Sequence, residues 1–489
     1  MKKRILSLML AAVTAAGCFG MTGCSSKDDS ADGITKVSWY IPTVLEGKDV
    51  ETVLNKANEL LAERYNLELD LVCIDSGNYA QKMQVMNAGR EVYDIAFTSN
   101  WTNDFASGVE NGVYYDLSKD LPEVAPTVWA NMSDAEKQAV SVDGAIYAIP
   151  NWQIQAKSTS LTFDKDKLDK SGMTLDEINT LDDVTTYLKK LHEVEPNCNV
   201  VAKTIWPSLT FHYGLNELIG EGLPPAIYFE KDGKPVVINQ YETEEFENYV
   251  KTRDVWVKEG LVTDQYDPEL KPSKKEIRRS PFGMHIYKPG LAADSTRSNG
   301  YEVVAKPFSK AVISSVGINA ALTAVSATSE HPREALKMIE VMNSDKEIYN
   351  LLCWGLEGTH YTKVSDNKIE TIDNSGYNRI SNWLLGSIRN SYQIATAEDT
   401  LIQDTEDYNN NAVVMPLNGL TFSLANIATE IANCKTVVNE QRDMLELGLT
   451  GDVDAALAKF RADIKASGVD TMIKDLQAQV DEWWAANKQ

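Results

Sequence analysis

VSWYI at residues 37–41 is followed by VETVLNKANELL at 50–61, LELDL at 67–71 and YDIAFT at 93–98. The first, third and fourth segments have the apolar and β-branched pattern of strands, whereas the apolar residues of the second recur on one face of a helix. Asp49 precedes that helix and can cap it. Strands that alternate with helices at this spacing predict βαβ units and a parallel sheet covered on both faces.

The ends of these strands predict where a ligand binds. In an open α/β sheet, ligands lie beyond the carboxyl ends of the strands. Trp39 and Tyr40 stand near the end of the first predicted strand, and Asn100 and Trp101 follow another. We therefore expect Trp39, Asn100 and Trp101 to contact a ligand.

The N-terminus has the pattern of an export signal. Basic residues 2–4 precede an uncharged run, 5–21, that leads into Thr22-Gly23-Cys24. Its apolar core is shorter than the roughly 20 residues of a membrane span, so removal is predicted. The segment resembles the lipobox of bacterial lipoproteins, which implies that Cys24 is acylated. Cys18 follows a weaker competing site, and an ordinary secretory signal is the alternative.

Size and charge limit the function. A chain of 489 residues is longer than one hydrophobic core usually holds, which predicts two or three lobes. The net charge is -24, and loss of the cationic signal makes the remainder more acidic still. Such a surface repels nucleic acid and anionic headgroups, so we predict no nucleic-acid partner.

Cysteine and histidine spacing predicts neither a metal nor a cofactor. Beyond the export segment the cysteines are isolated, without a CxxC or a zinc-type Cys/His pattern, and the five histidines show no ligand spacing. Disulfides and buried thiols both remain open for the four cysteines. These are Cys73, Cys198, Cys353 and Cys434.

The rest of the chain predicts a second αβ region and a helical end. Residues 142–147 have the pattern of a hairpin with an Asp-Gly turn, and a new αβ pattern starts at Leu161. Residues 283–287 and 320–325 predict strands, and 333–343 predicts a helix that follows a proline. The last third reads as mostly helical.

The order of these features resembles the extracellular solute-binding lipoproteins of ABC importers, in their large carbohydrate-binding class. The resemblance is carried by the lipobox, the tether, the βα units, the strand 147–150 and the helix region 324–335. Residues 342–361 and 417–484 are similar to a subgroup with an extra C-terminal helical extension. The resemblance implies an α/β fold of the periplasmic-binding-protein-like type II, in which a hinge joins two α/β lobes around a ligand cleft.

The resemblance also implies a division of the chain. The expected parts are a signal peptide at 1–23, a lipidated tether at 24–36, lobe 1 at 37–152, lobe 2 at 153–285, a return to lobe 1 at 286–343, and a mostly helical region at 344–489 that completes the lobes and the hinge.

The function that the resemblance implies is capture of a sugar or oligosaccharide and its delivery to ABC permease subunits, without enzymatic activity. The protein is then a monomer at the outer face of the cytoplasmic membrane, in contact with the membrane through its lipid anchor only. An adhesive or sensory lipoprotein and a glycoside hydrolase are the alternatives. A hydrolase needs two carboxylates about 5 to 10 Å apart, which sequence cannot measure.

Sugar recognition calls for aromatic plates and for hydrogen-bonding side chains. Arg389 can hold hydroxyls or an acidic sugar, with a surface ion pair as its alternative role. For each tryptophan the alternative is burial in a core. The residues expected to bind ligand are Trp39, Asn100, Trp101, Trp152, Trp206, Tyr287, Trp354 and Trp383.

Overall fold

The computed structural model describes residues 33–201, 205–220, 222–229, 233–263 and 279–487. The predicted signal peptide, Cys24 and most of the predicted tether lie outside the described residues. Within the described ranges, no helix is both long and apolar enough to cross a membrane.

The first part of the chain forms most of lobe 1. Its strands are β1 (Thr35–Pro42), β2 (Leu67–Ile74), β3 (Ile95–Thr98), β4 (Ser141–Val142), β5 (Ala145–Ile146) and β6 (Ile149–Pro150). Its helices are α1 (Val50–Tyr65), α2 (Ser76–Gly89), α3 (Phe105–Glu110), α4 (Leu121–Val124), α5 (Pro126–Asn131) and α6 (Asp134–Ala139).

The next part forms lobe 2. Its strands are β7 (Thr159–Asp164), β8 (Val200–Val201), β9 (Asn216–Glu217), β10 (Pro225–Phe229), β11 (Pro235–Asn239), β12 (Val262–Thr263), β13 (Phe282–Ile286) and β14 (Val303–Pro307). Its helices are α7 (Lys165–Ser171), α8 (Leu181–Val194), α9 (Trp206–Leu209), α10 (Glu244–Lys258) and α11 (Leu291–Asn299).

The last part crosses between the lobes and adds to both. Its strands are β15 (Val312–Ile313), β16 (Leu322–Val325), β17 (Tyr361–Ser365), β18 (Lys368–Thr371), β19 (Gln393–Ile394) and β20 (Val413–Val414). Its helices are α12 (Ser315–Ile318), α13 (Pro332–Ser344), α14 (Lys346–Trp354), α15 (Leu401–Asn410), α16 (Ala428–Glu446), α17 (Val453–Ala466) and α18 (Val469–Asn487).

The lobe 1 sheet has the strand order β2-β1-β3-β16-β6. Its first three strands are parallel, as the βαβ pattern predicts, whereas β16 runs antiparallel to both β3 and β6. The sheet is therefore mixed, because β16 enters it from lobe 2 in the opposite direction. Strand β1 begins at Thr35, so the last two residues of the predicted tether already belong to the sheet.

Local side chains explain several of the element boundaries. Helix α2 is capped by Asp75, whose Oδ1 accepts the N–H of Gly77 at 3.0 Å. The predicted cap by Asp49 is wrong, because its side chain makes no cap bond and lies instead 3.3 Å from Nε2 of His360. The predicted hairpin is confirmed as β4–β5, with φ of 52° at Asp143 and 82° at Gly144, as a type I′ turn requires.

Lobe 2 extends further along the chain than predicted. Strand β7 lies between β13 and β14 and is antiparallel to both. A return to lobe 1 from residue 286 is therefore wrong, since β14 at Val303–Pro307 still pairs with the central strand of the lobe 2 sheet. The chain enters the lobe 1 sheet only at β16.

The C-terminal region is divided between the lobes. Helices α13 and α14 pack into the lobe 1 core, as the resemblance implies for α13, and α16, α17 and α18 share one hydrophobic core with lobe 2. Phe460 is fully buried there, with its ring centroid 5.0 Å from that of Tyr241. The predicted helical region also contains the small sheet β17-β18-β19.

The four cysteines left open by the sequence are free thiols. Cys353 and Cys434 are buried, and Cys73 and Cys198 are half-buried. Burial raises the pKa of Cys73 to about 12 and that of Cys434 to about 11. These thiols therefore stay protonated at neutral pH and behave as small apolar side chains.

If the C-terminal helices belong to the lobe 2 core, Phe460→Ala should lower the free energy of unfolding by about 3–5 kcal/mol, because it leaves a cavity in that core. Urea unfolding followed by tryptophan fluorescence measures this, since Trp206 and Trp256 are buried in lobe 2. Met444→Ala, at a side chain 45% exposed on α16, is the control and should change little. Equal stability of both variants would contradict this assignment.

Candidate functional site

In the described ranges, three segments join the lobes, namely residues 151–158, 308–321 and 395–416. The first two pair through Lys157 and Val312, whose N–H groups each donate to the other carbonyl at 2.8 and 2.9 Å. The second and third pair as the parallel strands β15 and β20. The segments therefore form one hydrogen-bonded hinge between the lobes.

Asn409, on α15, ties the third segment to the first. Its Oδ1 accepts the N–H groups of Gln155 and Ala156, both at 3.0 Å, and its Nδ2 donates to the carbonyl of Gln153 at 2.8 Å. The side chain is 7% exposed. Because three hydrogen bonds converge on one buried amide, α15 is fixed against the hinge.

Trp101 stands at the carboxyl end of β3, at the lobe 1 side of the hinge. Its indole is 54% exposed, and its Nε1 donates to the carbonyl of Ala320 in the second hinge segment at 2.8 Å. The ring centroid of Phe97 lies 5.9 Å away. A large apolar side chain is thus held open to solvent by polar and aromatic contacts, which is typical of a binding surface.

Trp383 joins Trp101 from the other end of the chain. The two ring centroids are 6.5 Å apart at an interplanar angle of 61°. Asn151 positions Trp383, because its Nδ2 donates to the Trp383 carbonyl at 2.9 Å while its Oδ1 accepts from the hydroxyl of Thr323 at 2.8 Å. The structure therefore brings together two of the predicted site residues that lie far apart in the sequence.

Trp152 follows Asn151 in the first hinge segment but is only 6% exposed, because Arg389 covers it. The guanidinium Cζ is 3.6 Å from the ring centroid, and Nη2 donates to Oε1 of Glu406 on α15 at 3.0 Å. Of the two roles expected of Arg389, contact with a ligand and an ion pair, the structure shows the ion pair. The indole of Trp152 therefore packs against the guanidinium of Arg389 and is not an exposed aromatic surface.

Tyr287 marks the lobe 2 side of the hinge. Its ring centroid is 5.1 Å from that of Tyr408 on α15, and its N–H donates to the carbonyl of Ser158 at 2.8 Å. The hydroxyls of Ser158 and Tyr408 are 2.5 Å apart. The two tyrosines border a cavity of about 430 Å³ between the β13–α11 connection and α15, a volume within the range of small-molecule sites.

Burial raises the pKa of Tyr287, and the nearby Asp404 and Glu398 carboxylates raise it further. Burial also raises the pKa of Tyr408. Both phenols therefore remain protonated at neutral pH and can donate a hydrogen bond to a ligand.

Three of the predicted site residues are core residues instead. Trp39 is fully buried because β1 continues to Pro42, which places Trp39 inside the strand and on its core face. Trp206 is fully buried in lobe 2, where its Nε1 donates to Oε1 of Gln240 at 2.6 Å. Trp354 is 6% exposed in the lobe 1 core.

The remaining five, Asn100, Trp101, Trp152, Tyr287 and Trp383, lie beside the hinge. Asn100 is exposed, and its Nδ2 donates to the carbonyl of Val316 in the second hinge segment at 2.8 Å.

Sequence reasoning missed Tyr408 and the acidic side chains of the cavity. Asp404, Asp407 and Tyr408 on α15, and Asn411 directly after it, all line the cavity and recur at helical spacing. That spacing is a signal in the sequence, but nothing in it says which face of the helix borders a cavity. In the described ranges, no group of three or more His, Cys, Asp or Glu side chains is placed to hold a metal ion.

Comparison with known proteins adds independent information. A family model described as bacterial extracellular solute-binding protein matches residues 57–354, and a model for a domain of unknown function matches residues 416–485. A carbohydrate ABC transporter substrate-binding protein of Streptococcus pneumoniae is 24% identical over 98% of this chain and 96% of its own length.

Solved structures with the same fold include the N-glycan transport solute-binding protein of Streptococcus pneumoniae. It has a TM-score of 0.79 and 21% identity, over 93% of this chain and all of that one. Its complex with Man5GlcNAc has a TM-score of 0.66 with the same identity and coverage. An extracellular solute-binding protein of Bifidobacterium longum subsp. infantis has a TM-score of 0.63 and 18% identity, over 92% and 99% of the two chains.

The fold of these structures is the predicted type II arrangement of two α/β lobes around a hinge. Since the first family model spans more than half of the chain, the protein belongs to the family of bacterial extracellular solute-binding proteins.

Proposed function

We propose that the protein is the receptor of an ABC importer that captures a sugar or oligosaccharide between its lobes and delivers it to membrane permease subunits. The observation that carries this proposal is the pairing of the exposed Trp101 with Trp383 at the hinge. Aromatic faces bind the apolar C–H faces of sugar rings, and the neighbouring amide of Asn100 offers hydrogen bonds to hydroxyls.

Tyr287 at lobe 2 and Tyr408 on α15 complete the proposed site. Tyr287 and Tyr408 offer a second aromatic pair with hydroxyl donors on the other side of the hinge. A ligand that contacts both pairs favours the form in which the lobes are closed, by its difference in affinity for the two forms. The carbohydrate transporter protein and the glycan complexes among the relatives support the choice of sugar as ligand.

Attachment to the cell surface is a further part of the proposal. Diacylation of Cys24 would hold the receptor at the outer face of the cytoplasmic membrane as a monomer, with the segment before β1 as its tether. Tethering keeps the effective concentration of a receptor high near its permease. The polar residues after Cys24 support this assignment.

Trp101→Ala and Trp383→Ala should each weaken oligosaccharide binding by about tenfold or more, since a central aromatic contact is worth at least ~1.4 kcal/mol. Isothermal titration calorimetry against neutral oligosaccharides, including Man5GlcNAc, measures the affinities, and circular dichroism checks the fold. Tyr228→Ala, at a side chain 43% exposed on β10, is the matched control.

Unchanged affinity in both tryptophan variants would contradict this site. Release of shortened products would favour a glycoside hydrolase, and binding to no glycan would favour an adhesive or sensory role.

Acylation at Cys24 predicts that cells fed an alkyne analogue of palmitate incorporate the label into the wild-type protein and into Cys18→Ser. Cys24→Ser should lose the label, because it lacks the acylated thiol. In-gel fluorescence of the purified protein measures both. A label that persists in Cys24→Ser and disappears in Cys18→Ser would move the anchor to the competing site, and no label in the wild type would indicate an ordinary secretory signal.

A further inference from the structure

Among the residues that the structure describes, the cavity beside Tyr287 and Tyr408 is lined by carboxylates and by no cationic side chain. Glu398, Asp404 and Asp407 all border it, whereas no lysine or arginine of the described ranges does. The rest of the lining consists of the two tyrosines, Asn411 and small or apolar residues. The cavity thus combines an aromatic surface with a strongly negative one.

Three cations close in sequence to the lining residues are engaged elsewhere. Nζ of Lys288 donates to Oδ2 of Asp294 at 2.7 Å. Nη1 of Arg297 donates to the hydroxyl of Thr396 at 2.8 Å. Arg389 is paired with Glu406. None of the three therefore neutralises a carboxylate of the cavity.

The cavity carboxylates are only partly satisfied within the described ranges, where none of them forms an ion pair. Oδ2 of Asp404 accepts from the hydroxyl of Thr400 at 2.7 Å, and Oδ1 of Asp407 accepts from the amide of Gln403 at 2.9 Å. Each keeps an oxygen free to accept a hydrogen bond. Ionised acceptors make stronger hydrogen bonds than neutral ones, so hydroxyl or ammonium donors are favoured partners.

We infer that this cavity is a charge-selecting subsite that accepts neutral or amine-bearing sugar residues and rejects carboxylated ones. The inference rests on the proposed function and specifies its ligand class. A ligand carboxylate at this position would lie among three like charges, and no described lysine or arginine lines the cavity to compensate them. Like-charge contact is an effective means of rejecting a competing ligand.

The test uses an array of oligosaccharides in matched sets, in which one terminal residue is a neutral hexose, the corresponding uronate or the corresponding amino sugar. The labelled full-length mature protein should bind neutral and amine-bearing members at least about tenfold more tightly than their uronate counterparts. In Glu398→Gln/Asp404→Asn/Asp407→Asn, which removes the three charges with little change in shape, that ratio should fall to about threefold or less.

The control is Glu51→Gln/Glu63→Gln/Glu68→Gln, which removes the same charge at exposed positions on α1 and β2. Its selectivity should equal that of the wild type. Equal binding of uronate and neutral members by the wild type, or selectivity unchanged in the cavity variant, would overturn the subsite while leaving sugar capture intact. Binding to no member of the array would overturn sugar capture as well.

Discussion

The geometry of the hinge depends on the buried amide of Asn409. Its three hydrogen bonds to residues 153–156 hold α15 across the segment that leads from lobe 1 to lobe 2. Helix α15 in turn carries Glu406, which pairs with Arg389, and Tyr408, which contacts Tyr287. Because unpaired buried polar groups are costly, this amide favours one position of the helix. Both sides of the candidate site are therefore positioned by the same hinge.

Local periodicity was enough to predict the βα units of lobe 1, because each strand and helix there is decided by neighbours in sequence. The direction of β16 and the place of β14 were not predictable in this way, since both depend on pairing with distant strands. For the same reason the predicted return to lobe 1 comes too early. The attachment of α16–α18 to lobe 2 also depends on long-range packing.

The ends of strands predicted the exposure of Trp101 but not the burial of Trp39. Trp101 lies after the true end of β3 and is exposed, whereas Trp39 lies inside β1 and is buried. Trp39 lies three residues before the last residue of β1 and on its core face, so its place near the end of a strand did not make it exposed. Trp152 shows a different limit, because the arginine that covers it comes from position 389. The acidic side chains of α15 could be recognised as one group only from the cavity that they line.

Small-angle X-ray scattering tests most directly whether the lobes close on a bound sugar. The radius of gyration of the mature protein should fall when a neutral oligosaccharide that binds in calorimetry is added to saturation, because a ligand held by both lobes favours the closed form. The same titration with Trp101→Ala at equal glycan concentration should give a smaller decrease. Saturation without any change in the scattering profile would contradict capture between the lobes.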